Sequence, residues 1–265
     1  MKSALGTAVV TGASAGIGKV YAERLAARSY DLILIARRGE LLDAQAKELI
    51  RRYDIHARTV TADLSQREEL ERVIATVEAD DSVSLLVNNA GTSTLRASVD
   101  VQGRLLAEMI SVNILALTQL ALAALKGFKA RNGGILVNIG SVLGFHALPI
   151  SSIYSGTKGY VLNFTRGLQQ EFAESNVYIQ LVLPAATATD LWEISGVPLS
   201  ALDPTHVMSV ADCVDAALSG LDRRELITMT SLEDERLFLA YENARSALFT
   251  SAQSGRPASR YKRRP

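Results

Sequence analysis

The sequence predicts one α/β domain of the doubly wound kind, a three-layer architecture with a parallel sheet covered by helices on both faces. Three observations predict it. Short apolar runs alternate with longer amphipathic ones from one end of the 265 residues almost to the other. The central runs are continuously apolar rather than alternating, as strands are when both faces of a sheet are covered. A glycine cluster, Gly12, Gly16 and Gly18, falls in the first turn from strand to helix. At this length the chain can bury a large core, and it shows no internal repeat or low-complexity segment.

Residues 7–10 read as the first strand and 17–28 as the helix after it. A second strand spans 31–36 and is followed by a charged helix near 40–52, in which Asp43/Lys47 and Glu48/Arg52 are i,i+4 pairs on a solvated face. The third strand is 56–61, the next helix 67–79, and the fourth strand 84–87. Helical patterns fill 101–129, the fifth strand is 135–139, and a helix near 152–174 leads to the sixth, 177–183, which stops at Pro184. A helix near 210–221, a strand near 226–230 and a helix near 232–249 complete the pattern. This divides the chain into a nucleotide-binding and catalytic region, 1–230, with a substrate loop near 186–205. A helical extension, 231–252, and a basic tail, 253–265, follow.

Composition narrows the functional classes. Hydrophobic residues at 48% and charged residues at 21% exclude disordered and fibrous classes. The formal net charge is zero, which gives no general attraction to nucleic acid or an anionic membrane. Five positive charges crowd into the last ten residues (Arg256, Arg260, Lys262, Arg263, Arg264), a run read as a solvated end rather than a nucleic-acid site. The single Cys213 excludes an internal disulfide and suits a reducing compartment. The N-terminal residues lack the pattern of a signal peptide. The most apolar helical stretch, 112–125, is broken by Asn113, Thr118 and Gln119 and falls short of the ~20 residues that span a bilayer. A cytoplasmic protein without a membrane partner is the expectation. No grouping of His, Cys, Asp and Glu has metal-ligand spacing, so no metal is expected.

The motifs carry the chemistry. Thr11-Gly12-Ala13-Ser14-Ala15-Gly16-Ile17-Gly18 places glycines where a tight turn and close backbone approach are needed. The helix behind it offers free N–H groups and a positive dipole end to a pyrophosphate. At the end of the second strand an acid would bond a ribose 2′-hydroxyl, and an arginine would accommodate a 2′-phosphate. The chain has Arg37 and Arg38 there, which reads as NADP(H) in preference to NAD(H). Tyr154 and Lys158 are four apart in a helical segment, hence one turn apart on one face. An ammonium beside a phenol lowers its pKa from ~10 toward working pH, where a tyrosine can donate or accept a proton.

Taken together, these motifs identify the chain as resembling the short-chain dehydrogenase/reductase family, a Rossmann fold, over nearly its whole length to about residue 230. Gly12, Gly16 and Gly18 match that family's cofactor loop, and Asp63-Leu64 the pair after the third strand that flanks the adenine. Asn88-Asn89-Ala90-Gly91 matches its motif after the fourth strand. Asn113 falls at the helix-borne asparagine, Ser141 at the active-site serine, and Tyr154 with Lys158 at Tyr-x3-Lys. The resemblance implies hydride exchange between a nicotinamide and a carbonyl or alcohol. Tyr154 would act as acid/base, Ser141 would bond the carbonyl oxygen, Lys158 would hold the ribose, and Asn113 would bind a relay water. The cofactor contacts implied are Gly12, Ser14, Ala15, Gly16, Ile17, Gly18, Arg37, Arg38, Asp63, Leu64, Asn89, Ala90, Gly91, Tyr154 and Lys158. After the sixth strand, Pro184-Ala185 stands where the family commonly has Pro-Gly, with Thr187 and Thr189 as further contacts.

Substrate-binding residues are expected among Ser141, Leu143, Phe145, His146, Leu191 and Trp192. This set carries no Arg or Lys, so a neutral, fairly hydrophobic carbonyl or alcohol is predicted. Helices near 105–125 and 160–168 carry more apolar surface than one sheet face needs, and relatives in the family pair these helices, which implies a homodimer or homotetramer. The rival reading keeps the fold and NADPH binding without turnover, as a sensor or scaffold. Intact Ser141, Tyr154 and Lys158 argue against it. Sugar-nucleotide epimerisation or dehydration is disfavoured because the larger C-terminal substrate domain of such enzymes has no room here.

Overall fold

β1 (Thr7–Thr11), α1 (Gly16–Ala27), β2 (Asp31–Ala36), α2 (Gly39–Tyr53) and β3 (Ala57–Thr61) open the chain in the computed structural model, which describes residues 3–261. α3 (Arg67–Glu78), β4 (Val83–Asn88), α4 (Gly103–Ile110), α5 (Leu117–Ala130), β5 (Gly134–Ile139) and α6 (Ser152–Glu171) follow. β6 (Val177–Val182), α7 (Leu191–Ser195), α8 (Val210–Asp222), β7 (Ile227–Thr228) and α9 (Glu235–Ala252) complete it. The strands form one parallel sheet in the order β3-β2-β1-β4-β5-β6-β7. The order reverses direction at β1 and β4, and their carboxyl ends there form the crevice in which open α/β sheets place their ligands.

Alternate residues of each central strand enter opposite cores. Ala8, Val10, Leu32 and Leu34 pack under Tyr21, Leu25, Leu42, Leu49 and Val214, from α1, α2 and α8. Val9, Ile33 and Leu86 face Val73, Leu120, Phe128 and Leu168, from α3, α5 and α6. Burial on both faces is why these strands read as unbroken apolar runs. A network of buried amides crosses the second layer. Asn88 Nδ2 donates to Leu117 O and to Asn138 Oδ1, each at 3.1 Å, and Asn138 Nδ2 donates to Thr165 Oγ1 at 3.0 Å. It ties β4 and β5 to α5 and α6, the elements that carry the site.

Two elements differ from the sequence expectation. The segment read as one helical pattern contains a six-residue π-helical stretch, Ser111–Ala116, between α4 and α5. The resulting helix, Gly103–Ala130, is 28 residues long, and by length and composition alone it suffices to cross a membrane, contrary to the shorter apolar stretch expected. Here its Leu120, Ala124 and Phe128 cover the sheet. β7 is two residues rather than five, and it pairs only with Leu181 and Val182 of β6. The chain divides after Ser231 into two units. In the second, no residue of α9 is buried and Ser259–Tyr261 forms a short 3-10 turn. Of the expected basic tail, Lys262, Arg263 and Arg264 lie outside the described residues.

Candidate active site

A cavity of about 530 Å³ lies beyond the carboxyl ends of the strands. Its phosphate end is the turn from β1 to α1. Gly12 has φ +66°, and a Cβ there would lie 2.7 Å from Asn89 Nδ2 and 3.0 Å from Ala90 Cα. Only glycine lets the β1 and β4 ends close in this way. Thr11 Oγ1 completes the joint by accepting from the N–H groups of Asn89 and Ala90, both at 3.0 Å. α1 has no acidic residue in its first turn, so its dipole end faces the cavity uncompensated beside Ser14, Ala15, Gly16 and Ile17. The cradle fits a dinucleotide pyrophosphate.

The reactive end is built by β5 and α6. Ser141 follows β5, and a 3-10 turn, Val142–Gly144, presses the chain onto α6, where a Gly144 Cβ would lie 2.8 Å from Lys158 O. Ser141 is buried; its Oγ accepts from Leu143 N at 3.1 Å, and it is close enough to the Tyr154 phenol to act on its ionisation. Lys158, on the same face of α6, sits with Nζ 5.7 Å from the Tyr154 ring centroid and donates to Ile139 O at 2.9 Å. Burial pushes the Tyr154 phenol up to about 12, while Ser141 works to lower it. Burial also lowers the Lys158 amine to about 8. The sequence expectation of a phenol depressed by its lysine is therefore corrected: burial dominates, and the opposing contribution comes from Ser141 rather than Lys158.

At the adenosine end Arg37 and Arg38 both line the cavity, as do Asp63, Leu64, Ala90 and Gly91. Arg38 Nε donates to Ser14 Oγ at 3.2 Å and its Nη1 lies 3.8 Å from Asp190 Oδ2. Arg37 Nη1 pairs with Glu108 Oε1 at 3.0 Å, across from α4. This phosphate turn, arginine pair and Ser-Tyr-Lys cluster sit in one cavity, and the comparisons with known proteins agree on what it is. The short chain dehydrogenase family model matches residues 6–196. The chain belongs to the short-chain dehydrogenase family.

Among solved structures, a short-chain dehydrogenase from Sphingobium yanoikuyae in complex with NADPH is 39% identical, covers 97% of this chain and 100% of its own, and has a TM-score of 0.94. A bulky-bulky ketone specific alcohol dehydrogenase from Comamonas testosteroni is 36% identical with a TM-score of 0.88, covering 97% of this chain and 98% of its own. Among curated relatives, the very-long-chain 3-oxoacyl-CoA reductase-A of Danio rerio is 38% identical over 194 residues, 71% of this chain. The match spans 60% of that relative's own length.

Within this family member the expected residues divide into three groups. Pro184, Thr187 and Thr189 line the cavity with Leu143, Leu191 and Trp192. Trp192 Nε1 donates to Thr187 O at 2.8 Å, which fixes the indole as a wall. Gly18 does not line it: a Cβ there would lie 2.4 Å from Gly12 O, so its part is to let α1 close on the loop. Phe145 and His146 are exposed and lie outside the lining, because the 3-10 turn carries the chain outward; Leu148 returns to supply the wall. Asn113 is buried outside the lining. Its Oδ1 accepts from Thr92 N at 2.9 Å, and Nδ2 donates to Thr92 O at 2.9 Å and Thr157 Oγ1 at 3.1 Å. With both amide hydrogens committed, the side chain clasps the β4 loop to α6. Sequence reasoning missed Glu108 and Asp190, the acids facing the two arginines. No local pattern marks an ion pair formed across 71 positions.

Proposed function

We propose that this protein is an NADP(H)-dependent oxidoreductase that interconverts bulky, apolar ketones and their alcohols. The observation that carries this reading is the Ser141–Tyr154–Lys158 cluster. It stands between a phosphate-binding turn with Arg38 on Ser14 and a pocket walled by Leu95, Leu148, Leu191, Trp192 and Ile194. When bound, the nicotinamide supplies or accepts the hydride. Tyr154, protonated at neutral pH, donates its proton to the carbonyl oxygen during reduction and accepts it back during oxidation. Ser141 donates a hydrogen bond to the same oxygen, where it counts most as negative charge develops. Lys158 lies where it can bond ribose hydroxyls and, when charged, stabilise the phenolate that forms. The complex of the Sphingobium relative with NADPH and the ketone preference of the Comamonas relative both support this assignment.

A second reading follows from the curated relatives: a 3-oxoacyl thioester as substrate. The apolar walls suit an acyl chain equally well. The basic side chains of the cavity lining, Arg37, Arg38 and Lys158, all belong to the nucleotide side and leave none for the phosphates of a CoA group. NADPH consumption should therefore be followed with bulky aryl and alkyl ketones and with 3-oxoacyl thioesters, each against Tyr154→Phe. Turnover of ketones by wild type and its loss in the variant supports the first reading, and turnover of thioesters alone supports the second. NADPH binding without turnover of either would return the sensor reading.

Exposed apolar residues on α4, the π-helical stretch, α5 and α6 support a homodimer or homotetramer. Leu106, Ile110, Leu115, Leu122 and Tyr160 are 37–49% exposed.

A further inference from the structure

Arg37 and Arg38 stand at the adenosine end as the basic residues that a 2′-phosphate would meet, yet they are not equally available. Arg38 is held by the neutral Ser14 hydroxyl, with Asp190 at the looser distance of 3.8 Å. The Arg37 guanidinium is engaged by a full carboxylate at 3.0 Å. Glu108 is the more buried partner of that pair, its side chain 21% exposed against 57% for Arg37, and it lines the same cavity. It projects from α4, which runs on through the π-helical stretch into α5 on the sheet, so its backbone is fixed by the core. Asp63, also in the lining, adds a further negative charge, its Oδ1 accepting from the Ser65 N–H and hydroxyl at 2.9 and 2.8 Å. Three acids thus stand with two arginines along this cavity, and of the acids the sequence had named Asp63 but neither Glu108 nor Asp190.

We propose that Glu108 sets the degree of discrimination between NADPH and NADH by holding Arg37 away from the 2′-phosphate, leaving Arg38 with Ser14 as the principal phosphate contact. This rests on the NADP(H) reading above. A phosphate must compete with Glu108 for Arg37 and sits beside its negative charge. A ribose hydroxyl meets neither cost. Glu108 is a specificity-determining residue that acts through Arg37, and removing its charge while keeping its shape frees the guanidinium.

The test is a double-mutant cycle read by calorimetric binding of NADPH and of NADH to wild type, Glu108→Gln, Arg37→Ala and the double variant. Glu108→Gln is expected to tighten NADPH about fivefold, the scale of one partly exposed ion pair, and to leave NADH within about twofold. On the Arg37→Ala background the same substitution is expected to change NADPH binding by less than about twofold. Weaker NADPH binding by Glu108→Gln, matching Arg37→Ala, would overturn the proposal, because the carboxylate would then be orienting Arg37 for the phosphate. Equal gains on both backgrounds would also overturn it, since Glu108 would act on the phosphate directly. If wild type binds NADH and not NADPH, or neither, the underlying cofactor reading fails, an outcome distinct from either of these. Thermal unfolding of each variant without nucleotide separates lost binding from lost fold.

Discussion

At the scale of single residues, the site pairs two groups whose burial moves them toward their neutral forms, and both consequences can be measured. Lys158 is 6% exposed and its amine is lowered to about 8, against ~10.4 for a free lysine. Between those values the unfolded chain holds more protons than the folded one, so stability rises with pH through that window. The burial cost is present in full below pH 8. Lys158→Met removes it, so the variant should lose the rise that wild type shows in urea midpoint between pH 7 and 9.5. Across that pH range the difference is of order 2 kcal/mol, from 1.36 kcal/mol per pKa unit. Tyr154 is raised instead, to about 12, so its contribution is lost only above pH 10, outside that window. The same raised value predicts that carbonyl reduction stays flat across neutral pH, while alcohol oxidation, which needs the phenolate, climbs with pH. Initial rates in both directions from pH 6 to 10.5 check this. Ser141→Ala should lower kcat by about 10² to 10³, the usual cost of removing a donor to a developing oxyanion. Stability should change by only about 1 kcal/mol, since the folded state loses the bond from Leu143 N.

Elements decide whether these residues meet, and here the sequence was unevenly legible. Tyr154 and Lys158 could be placed one turn apart because 3.6-residue periodicity fixes the relation within a single helix. Gly12 and Gly18 were legible because a close approach tolerates no other residue. The π-helical stretch was not legible, since one extra residue in a turn leaves an apolar pattern almost unchanged. Yet it is this stretch that carries Asn113, whose amide clasps Thr92 and Thr157. Phe145 was expected in the pocket as an apolar loop residue, but after the 3-10 turn between Ser141 and Phe145 it is Leu148 that lines the cavity. The clasp makes its own prediction. Asn113→Ala leaves the half-buried Thr92 N–H and carbonyl without these partners, which should cost about 1–2 kcal/mol in chemical denaturation. KM should rise more than kcat falls, because the β4 loop that carries Leu95 loses its anchor while Ser141, Tyr154 and Lys158 keep theirs. A kcat collapse at unchanged KM would instead assign Asn113 to the proton path.

For the whole molecule, alternation of strand and helix made the sheet readable, because two-sided burial writes an unbroken apolar run for every central strand. Long-range polar pairing was not readable, and Glu108 against Arg37 is the case that matters most for the cofactor. The same two-layer logic leaves one surface unexplained within a single chain. α5 gives Leu120, Ala124 and Phe128 to the sheet, while Leu115 of the π-helical stretch and Leu122 of α5, seven residues apart, stay 49% and 47% exposed. Tyr160 of α6 joins them, its hydroxyl bonded to Thr118 Oγ1 at 2.9 Å and its ring stacked on Phe164. Scattered exposed leucines are ordinary, but a connected apolar face over two helices is what a self-complementary contact uses. Under twofold symmetry one substitution is counted twice in such an interface. Wild type should therefore scatter light as a dimer or tetramer, and Leu115→Arg with Leu122→Arg should reduce it to smaller species while the circular dichroism spectrum is retained. A wild type that is monomeric at tens of micromolar would sink this assignment. An unchanged mass in the double variant would move the interface to another face.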